Sequence, residues 1–306
     1  MLSPIIIESI LKTSISEALV FAFVAIGVFL TLRVLAFPDL TVDGSFVVGG
    51  SIVAVMVHVG GYDPFLATIA AFVSGLACGS ITGLLNTKLR LPALLAGILM
   101  MVGLYSVNLL IMGRPNVPLL RDITIFDSVA SWFGMESNTI LVIIVLAVIV
   151  FGVLMALRWF LRTEIGLALR ATGDNEQMVR ALGADTDKNI VLGCALSNGL
   201  VALSGALVAQ KQQFCDVNMG IGMIVMGLAA VIIGEAVIRP RGVTSMLLAA
   251  LTGTFLYRLF ITIALRLGLA PGNLKLITAL LVIIAMAIPY IRKKLRHEWI
   301  PPAVRW

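Results

Sequence analysis

The sequence predicts an all-α fold: a polytopic transmembrane helical bundle of about nine spans, with one short helix standing outside the membrane. Three observations lead there. Hydrophobic residues make up 60% of the 306 residues, charged residues 12%, and the mean hydropathy is +1.07, whereas a soluble domain carries about 25% charged residues. Apolar runs of roughly 20 residues, the length that spans a ~30 Å hydrocarbon core, follow one another along the chain. Between them Lys and Arg fall mainly into alternate breaks, as the positive-inside bias requires.

Taken in order, the apolar runs lie near 16–36, 43–59, 63–87, 93–112, 138–160, 188–209, 219–237, 242–265 and 273–291. The second is the least regular. It opens on Phe37-Pro38-Asp39-Leu40-Thr41-Val42-Asp43-Gly44 and is expected either as a full span or as re-entrant backbone, which the membrane tolerates where protein or water lines it. One set of flanks carries Arg33, Lys88, Arg90, Arg158, Arg162, Arg170, Arg180, Lys188, Arg239, Arg241 and the tail residues Arg292, Lys293, Lys294, Arg296 and Arg305. The opposite set carries Lys12, Arg114, Arg121, Lys211, Arg258, Arg266 and Lys275. Fifteen against seven makes the first set cytoplasmic. An odd span count then puts the N-terminus outside and the tail inside. The connection 113–137, with Trp132 and Phe133, is expected at the outer interface. Residues 1–306 read as a single transmembrane domain. Residues 1–14 hold Lys12 alone as a base, and the apolar run beyond Ser16 exceeds the ~7–15 residues of a cleavable signal, so the segment is expected to stay attached.

Composition also excludes classes. The net charge of +6 is spread between apolar segments instead of forming one patch, which argues against nucleic acid. Cys78, Cys194 and Cys215 form no ligand pair at metal spacing and no disulfide framework. The dipeptide Gly-Lys does not occur, so no Walker-type phosphate loop is possible, and H-E-x-x-H is absent. The chain is expected not to be an enzyme and to need no cofactor of its own; if it pumps, another subunit supplies the energy.

Inside the spans, Gly75, Gly79 and Gly83 form a stripe that lets another helix backbone approach closely, and Gly193, Ala195, Ser197 and Gly199 form a similar surface. Ionisable groups are scarce. Glu17 and Arg258 lie toward outer ends, Arg258 where it can snorkel, Glu235 lies toward an inner end, and His58 reads as interfacial. Asn86, Asn108 and Asn198 can bond between helices or line a path. Asp43 and Ser45 either line that path or serve as a helix N-cap on the second span.

Between the fifth and sixth spans, residues 162–187 are polar yet patterned. Asp174 or Asn175 can cap a short helix, and Gly183 can end it. Met178, Val179 and Leu182 share an apolar face flanked by Glu176 and Arg180. A helix of about eight residues is marginal alone in water, so the face needs a cover: this chain's own helix ends, or a groove on a partner.

The pattern Thr163…Gly166…Arg170-Ala171…Asp174-Asn175…Ala181-Leu182-Gly183 resembles the cytoplasmic coupling loop of ABC importer permeases of the branched-chain amino acid and ribose type. The similarity continues through Ser204-Gly205-Ala206-Leu207 and Gly222-Met223-Ile224-Val225-Met226-Gly227 to Gly234-Glu235. The stretch from Phe37 to Phe46 resembles the permeases paired with tryptophan/tyrosine-type binding proteins. The resemblance covers roughly residues 15–291, and departs from ribose-type relatives that carry an extra N-terminal helix. It implies a membrane-spanning subunit that forms the path for a small solute, in the bacterial inner membrane and surrounded by its lipid. The implied partners are cytoplasmic ATPases that bind the ATP, an extracytoplasmic substrate-binding protein and a second permease copy in a homodimer. The short helix is then the coupling helix, with Arg170, Asp174, Asn175, Met178, Val179, Arg180, Leu182 and Gly183 facing the ATPase, and Asp43, Ser45, Asn108 and Asn198 as path residues. The competing classes are a stand-alone secondary carrier, which would need an ion-coupling group in mid-membrane, and a membrane-embedded enzyme.

Overall fold

The computed structural model describes residues 4–268 apart from 121, 133 and 135–137, together with 276, 278–280 and 283, with side chains from Glu8 onward. Arg121, Phe133, Lys275, most of the expected ninth span 273–291 and the tail from Arg292 lie outside the described residues.

Helix α1 (Pro4–Phe29) runs without interruption into a π-helical turn, Leu30–Val34. It begins well before residue 16, because a helix once started propagates through Glu8, Ser9, Lys12 and Thr13, residues that hydropathy counts against a span. The Glu8–Lys12 pair at 2.6 Å supports that first stretch. The π turn ends at Ala36, whose φ of +53° turns the chain where a side chain is disfavoured. Residues 35–40 follow without regular structure, Leu35, Phe37 and Asp39 buried and Ala36 and Pro38 exposed, and α2 (Thr41–His58) then runs as a continuous helix. The irregularity expected in the second span therefore belongs to the segment before it.

Helices α3 (Pro64–Thr87) and α4 (Ala93–Met112) lead to strand β1 (Asn116–Pro118) and the short α5 (Ile125–Trp132). Next come α6 (Thr139–Phe160), α7 (Glu164–Asp174), α8 (Glu176–Ala181) and the long α9 (Thr186–Gln212). Strand β2 (Phe214–Asp216), α10 (Met223–Ile238) and α11 (Val243–Arg266) complete the described order. Among the described residues seven helices are long and apolar enough to cross a membrane: α1, α2, α3, α4, α6, α9 and α11. The 16 residues of α10 reach about 24 Å, short of a ~30 Å core.

Helix α9 is the hub, buried against α1, α2 and α3. The α3 glycine stripe meets it: a Cβ on Gly79 would overlap the Cys194 backbone, and one on Gly83 would sit 2.7 Å from the Val191 Cα. The stripe is thus an intramolecular seam, where close backbone approach takes the place of side-chain interlock. By contrast α4 and α6 turn mainly exposed apolar side chains outward, such as Leu99, Val102, Ile144 and Val148.

At one end of the bundle β1 and β2 pair antiparallel, Val117 opposite Cys215, and His58 Nδ1 lies 2.8 Å from Asp122 Oδ2. Trp132 stacks on Phe65 there, with ring centroids 5.3 Å apart. Toward the same end, Lys211 Nζ sits 2.6 Å from Glu17 Oε1, and Arg258 Nη1 3.6 Å from Glu17 Oε2. Arg258 does not snorkel. Its guanidinium lies 3.4 Å over the Phe21 ring, held inside by a carboxylate and an aromatic face. The opposite end carries α7 and α8.

Candidate functional site

Two places concentrate chemistry: the α7/α8 segment and an interior junction where two irregular stretches meet.

Thr163 caps α7, its Oγ1 accepting from Gly166 N at 3.3 Å, and Leu169 buries the helix against the bundle. Asn189 Nδ2 donates to Thr172 Oγ1 at 2.9 Å, tying α7 to α9. Near its C-terminus Gly173 lies so close to the Val34 carbonyl that a Cβ would overlap it, so α7 bears directly on the π turn. Asp174 closes α7, and Asn175 caps α8, Oδ1 accepting from Met178 N at 3.0 Å. Gly183, at φ +85°, ends the segment. Arg180 holds α8 down through Glu176 and Asp187, each at 2.7 Å, and through a 2.6 Å bond from Nε to Thr186 Oγ1. Asp185 caps α9, and Lys188 beside it keeps its carboxyl below the usual range.

The apolar face expected on α8 divides. Met178 is 51% exposed and Leu182 77%, but Val179 is 4% exposed and packs into its own chain. Val179 therefore cannot serve as a partner contact. The six helical residues turn Val179 inward to hold themselves down and leave Met178 outward, with Leu182 outward at the C-cap. Arg170 is half-buried on α7, away from that outward pair.

The interior junction lies where residues 39–45 meet Asn198 of α9 and, through Asp43, residues 220–224. Asp39, 1% exposed, accepts from Thr41 N at 2.9 Å and from Asn198 Nδ2 at 2.6 Å. Ser45 Oγ donates to Asn198 Oδ1 at 2.7 Å, and Asn198 also donates to the Cys194 carbonyl at 3.0 Å. Ser45 and Asn198, expected to line a path, are instead locked in a closed polar network at the α2/α9 contact, because a buried amide needs every partner it can reach. Asp39 was not legible as part of this, since its neighbours read as a loop.

Asp43 does not cap its own helix, whose N-cap is Leu40; Asp39, one residue further out, accepts from Thr41 N. The Asp43 carboxylate reaches across to the start of α10, Oδ2 accepting from Gly222 N and Oδ1 from Ile224 N, both at 2.9 Å. The preceding turn packs so tightly that a Cβ on Gly220 would overlap the Asp43 carbonyl. A cavity of about 460 Å³ opens beside this contact, bounded by Asp43, Val47, Met101, Tyr105, Asn108 and Ile221, among others. Of the four expected path residues, Asp43 and Asn108 therefore border a cavity, while Ser45 and Asn198 do not. Asn108 Nδ2 donates to the Gly44 carbonyl at 3.3 Å, which fixes α4 to the first turn of α2. At the other end of α10, Glu235 pairs with Arg33 of the π turn.

This arrangement, a shortened helix starting inside a bundle beside a cavity, is one that membrane transporters use at solute sites. A family model for "Branched-chain amino acid transport system / permease component" matches residues 10–287. A tyrosine transport system permease protein of Clostridioides difficile is 39% identical over 272 residues, covering 89% of this chain and 88% of that protein. An uncharacterised protein of Rickettsia prowazekii is 34% identical over 283 residues, covering 91% and 97%. A fructose import permease protein of Rhizobium meliloti is 27% identical over 259 residues, covering 83% and 71%. No solved structure matches. The chain belongs to the permease-component family of branched-chain amino acid transport systems, and is a multi-pass membrane permease subunit.

Proposed function

We propose that this permease is the translocating subunit of an ATP-driven importer of the bacterial inner membrane, its partners being two cytoplasmic ATPases, an extracytoplasmic binding protein and a second copy of itself. ATP belongs to the ATPases, and this chain carries no cofactor. The observation that carries the reading is the outward pair Met178 and Leu182 on a capped six-residue helix, projecting from the end that charge asymmetry makes cytoplasmic. Apolar side chains held out by a rigid cap are what a groove on a partner would cover. Kinship with a tyrosine transport system permease and a fructose import permease supports import, and an amino acid is the preferred solute class.

Coupling then has a physical route. The end of α7 bears on Val34, the adjacent Arg33 pairs with Glu235, and α10 carries any displacement to Asp43 at the cavity. ATP closure moves the coupling helices; the π turn and α10 bias the cavity between its two openings, provided the ATPase binds the two arrangements differently. Exposed Tyr105 and Ser106 on α4, polar groups on an otherwise apolar surface, support a second copy facing this cavity across a two-fold axis.

Reconstitution tests the reading. The purified chain should hydrolyse no ATP. With its ATPase and binding protein in proteoliposomes it should accumulate solute only when ATP is supplied. Uptake driven by an ion gradient without the ATPase would replace this reading with the secondary carrier.

A further inference from the structure

We infer that Asp43 selects solutes that carry a protonated amine on a mainly apolar body, and that the amine is what the cavity recognises. This rests on the cavity being the solute path. Among the residues that line the cavity, Asp43 carries the one carboxylate, and no Lys, Arg or His stands with it. Val47, Met101, Val102, Val217 and Ile221 make most of the remaining wall apolar, with the hydroxyl of Ser106 and the amide of Asn108 on it.

The carboxylate is held in place but not used up. Ionised, it offers about four lone-pair sites; Gly222 N and Ile224 N take one on each oxygen, and Met223 N lies against the same carboxylate. The sites that remain can accept from an ammonium. Because α10's N-terminus already has its anion in Asp43, a solute carboxylate gains nothing there and meets a like charge. The same helix end that would attract an anion elsewhere is filled by the protein itself. A neutral polyol would face a wall with few hydrogen-bond partners and leave most of its hydroxyls unpaired, which a desolvated site penalises. An apolar body with one ammonium satisfies both halves of the wall.

The experiment needs no ATPase, so its outcome is separate from that of the coupled-uptake test. A Ser106→Cys variant places a thiol on the cavity wall, while Cys78, Cys194 and Cys215 are buried and contribute little background. Its maleimide labelling is followed in the isolated permease with millimolar L-tyrosine, L-leucine, tyramine, isoamylamine, 3-(4-hydroxyphenyl)propionate or 4-methylpentanoate. The four amine-bearing probes should slow labelling at least about tenfold relative to the two amine-free acids, about 1.4 kcal/mol of preference. Adding Asp43→Asn, which keeps one of the two acceptors for α10, should remove the protection, with the melting midpoint measured alongside. Equal protection by the acids, equal protection in the Asp43→Asn background, or protection by none of the six overturns the inference. The comparison of amines with acids on the Asp43 form stands even where the Asn variant fails to fold.

Discussion

The α7/α8 segment and the interior junction are both polar islands in an apolar chain, yet they are held by opposite means. The segment is a local construction: Thr163 to Gly166, Asn175 to Met178 and Asp185 to Lys188 are each three residues apart, and Arg180 reaches no further than Asp187. The junction is assembled from positions far apart in the chain, Asp39 and Ser45 with Asn198, and Asp43 with Gly222 and Ile224. The first is loosely buried and leaves apolar groups outward; in the second the Asp39, Ser45 and Asn198 cluster is closed, and Asp43 beside it borders the cavity. A surface built to meet a partner can be local and exposed, whereas a fixed point inside a moving bundle has to be tied from several helices at once.

The largest expected effect lies at the junction. Asn198→Leu leaves the Asp39 carboxylate and the Ser45 hydroxyl without their partner, and a loss of about 3 kcal/mol is expected, the upper range for orphaning a buried polar group. Detergent melting should show a clearly lowered midpoint before any partner is added. An unchanged midpoint would mean that the network is not a fixed point.

Next comes the segment, where the effect should move from stability to assembly. Leu182→Asp should keep the stability of the isolated chain within about 0.5 kcal/mol of the parent, since the side chain is outward. ATPase co-purification should nonetheless fall at least about tenfold, because burying a leucine contributes roughly 1.5–3 kcal/mol. A destabilised permease that still binds ATPase would reverse the contrast. Val179→Ala sharpens the same division. It should cost the isolated chain about 1 kcal/mol, in the range for deleting buried methyl groups, while Met178→Ala should leave isolated stability alone.

How much of this was legible follows from the same contrast. The α8 cap at Asn175, the stop at Gly183 and the apolar triplet could be read because capping chemistry acts within four residues. Which triplet member turns inward could not, because that depends on how α8 lies against the rest of the chain, and Val179 is the buried one. The α3 glycine stripe was visible as a period, and its partner on α9 was visible as a run of small residues; that the two meet was a matter of packing. Asp39 and Asp43 sat in one polar stretch, and nothing local separates the residue that ties α2 to α9 from the one that reaches α10. Arg258 illustrates the same limit, since its Glu17 partner lies on another helix far back in the chain.

The smallest expected effect is a pH response at the segment's edge. The Asp185 carboxyl is lowered by Lys188, so the stability it adds to the start of α9 is present above the ordinary aspartate pKa of about 3.9 and lost as pH falls through its lower folded value. Amide exchange at Thr186–Asn189 should be flat between about pH 7 and 5, after correction for intrinsic rates, and lose protection only below about pH 4. A loss near neutral pH would assign the cap to another group.

The central claim, that the outward pair on α8 is covered by an ATPase while Val179 is covered by this chain, is tested most directly by thiol labelling of Leu182→Cys and Val179→Cys. The three native cysteines are buried, so the background is low. Cys at 182 should label rapidly in the isolated permease and at least about tenfold more slowly once the ATPase is bound, a protection equivalent to about 1.4 kcal/mol, while Cys at 179 should label slowly in both states. Equal labelling at 182 with and without bound ATPase would contradict the account.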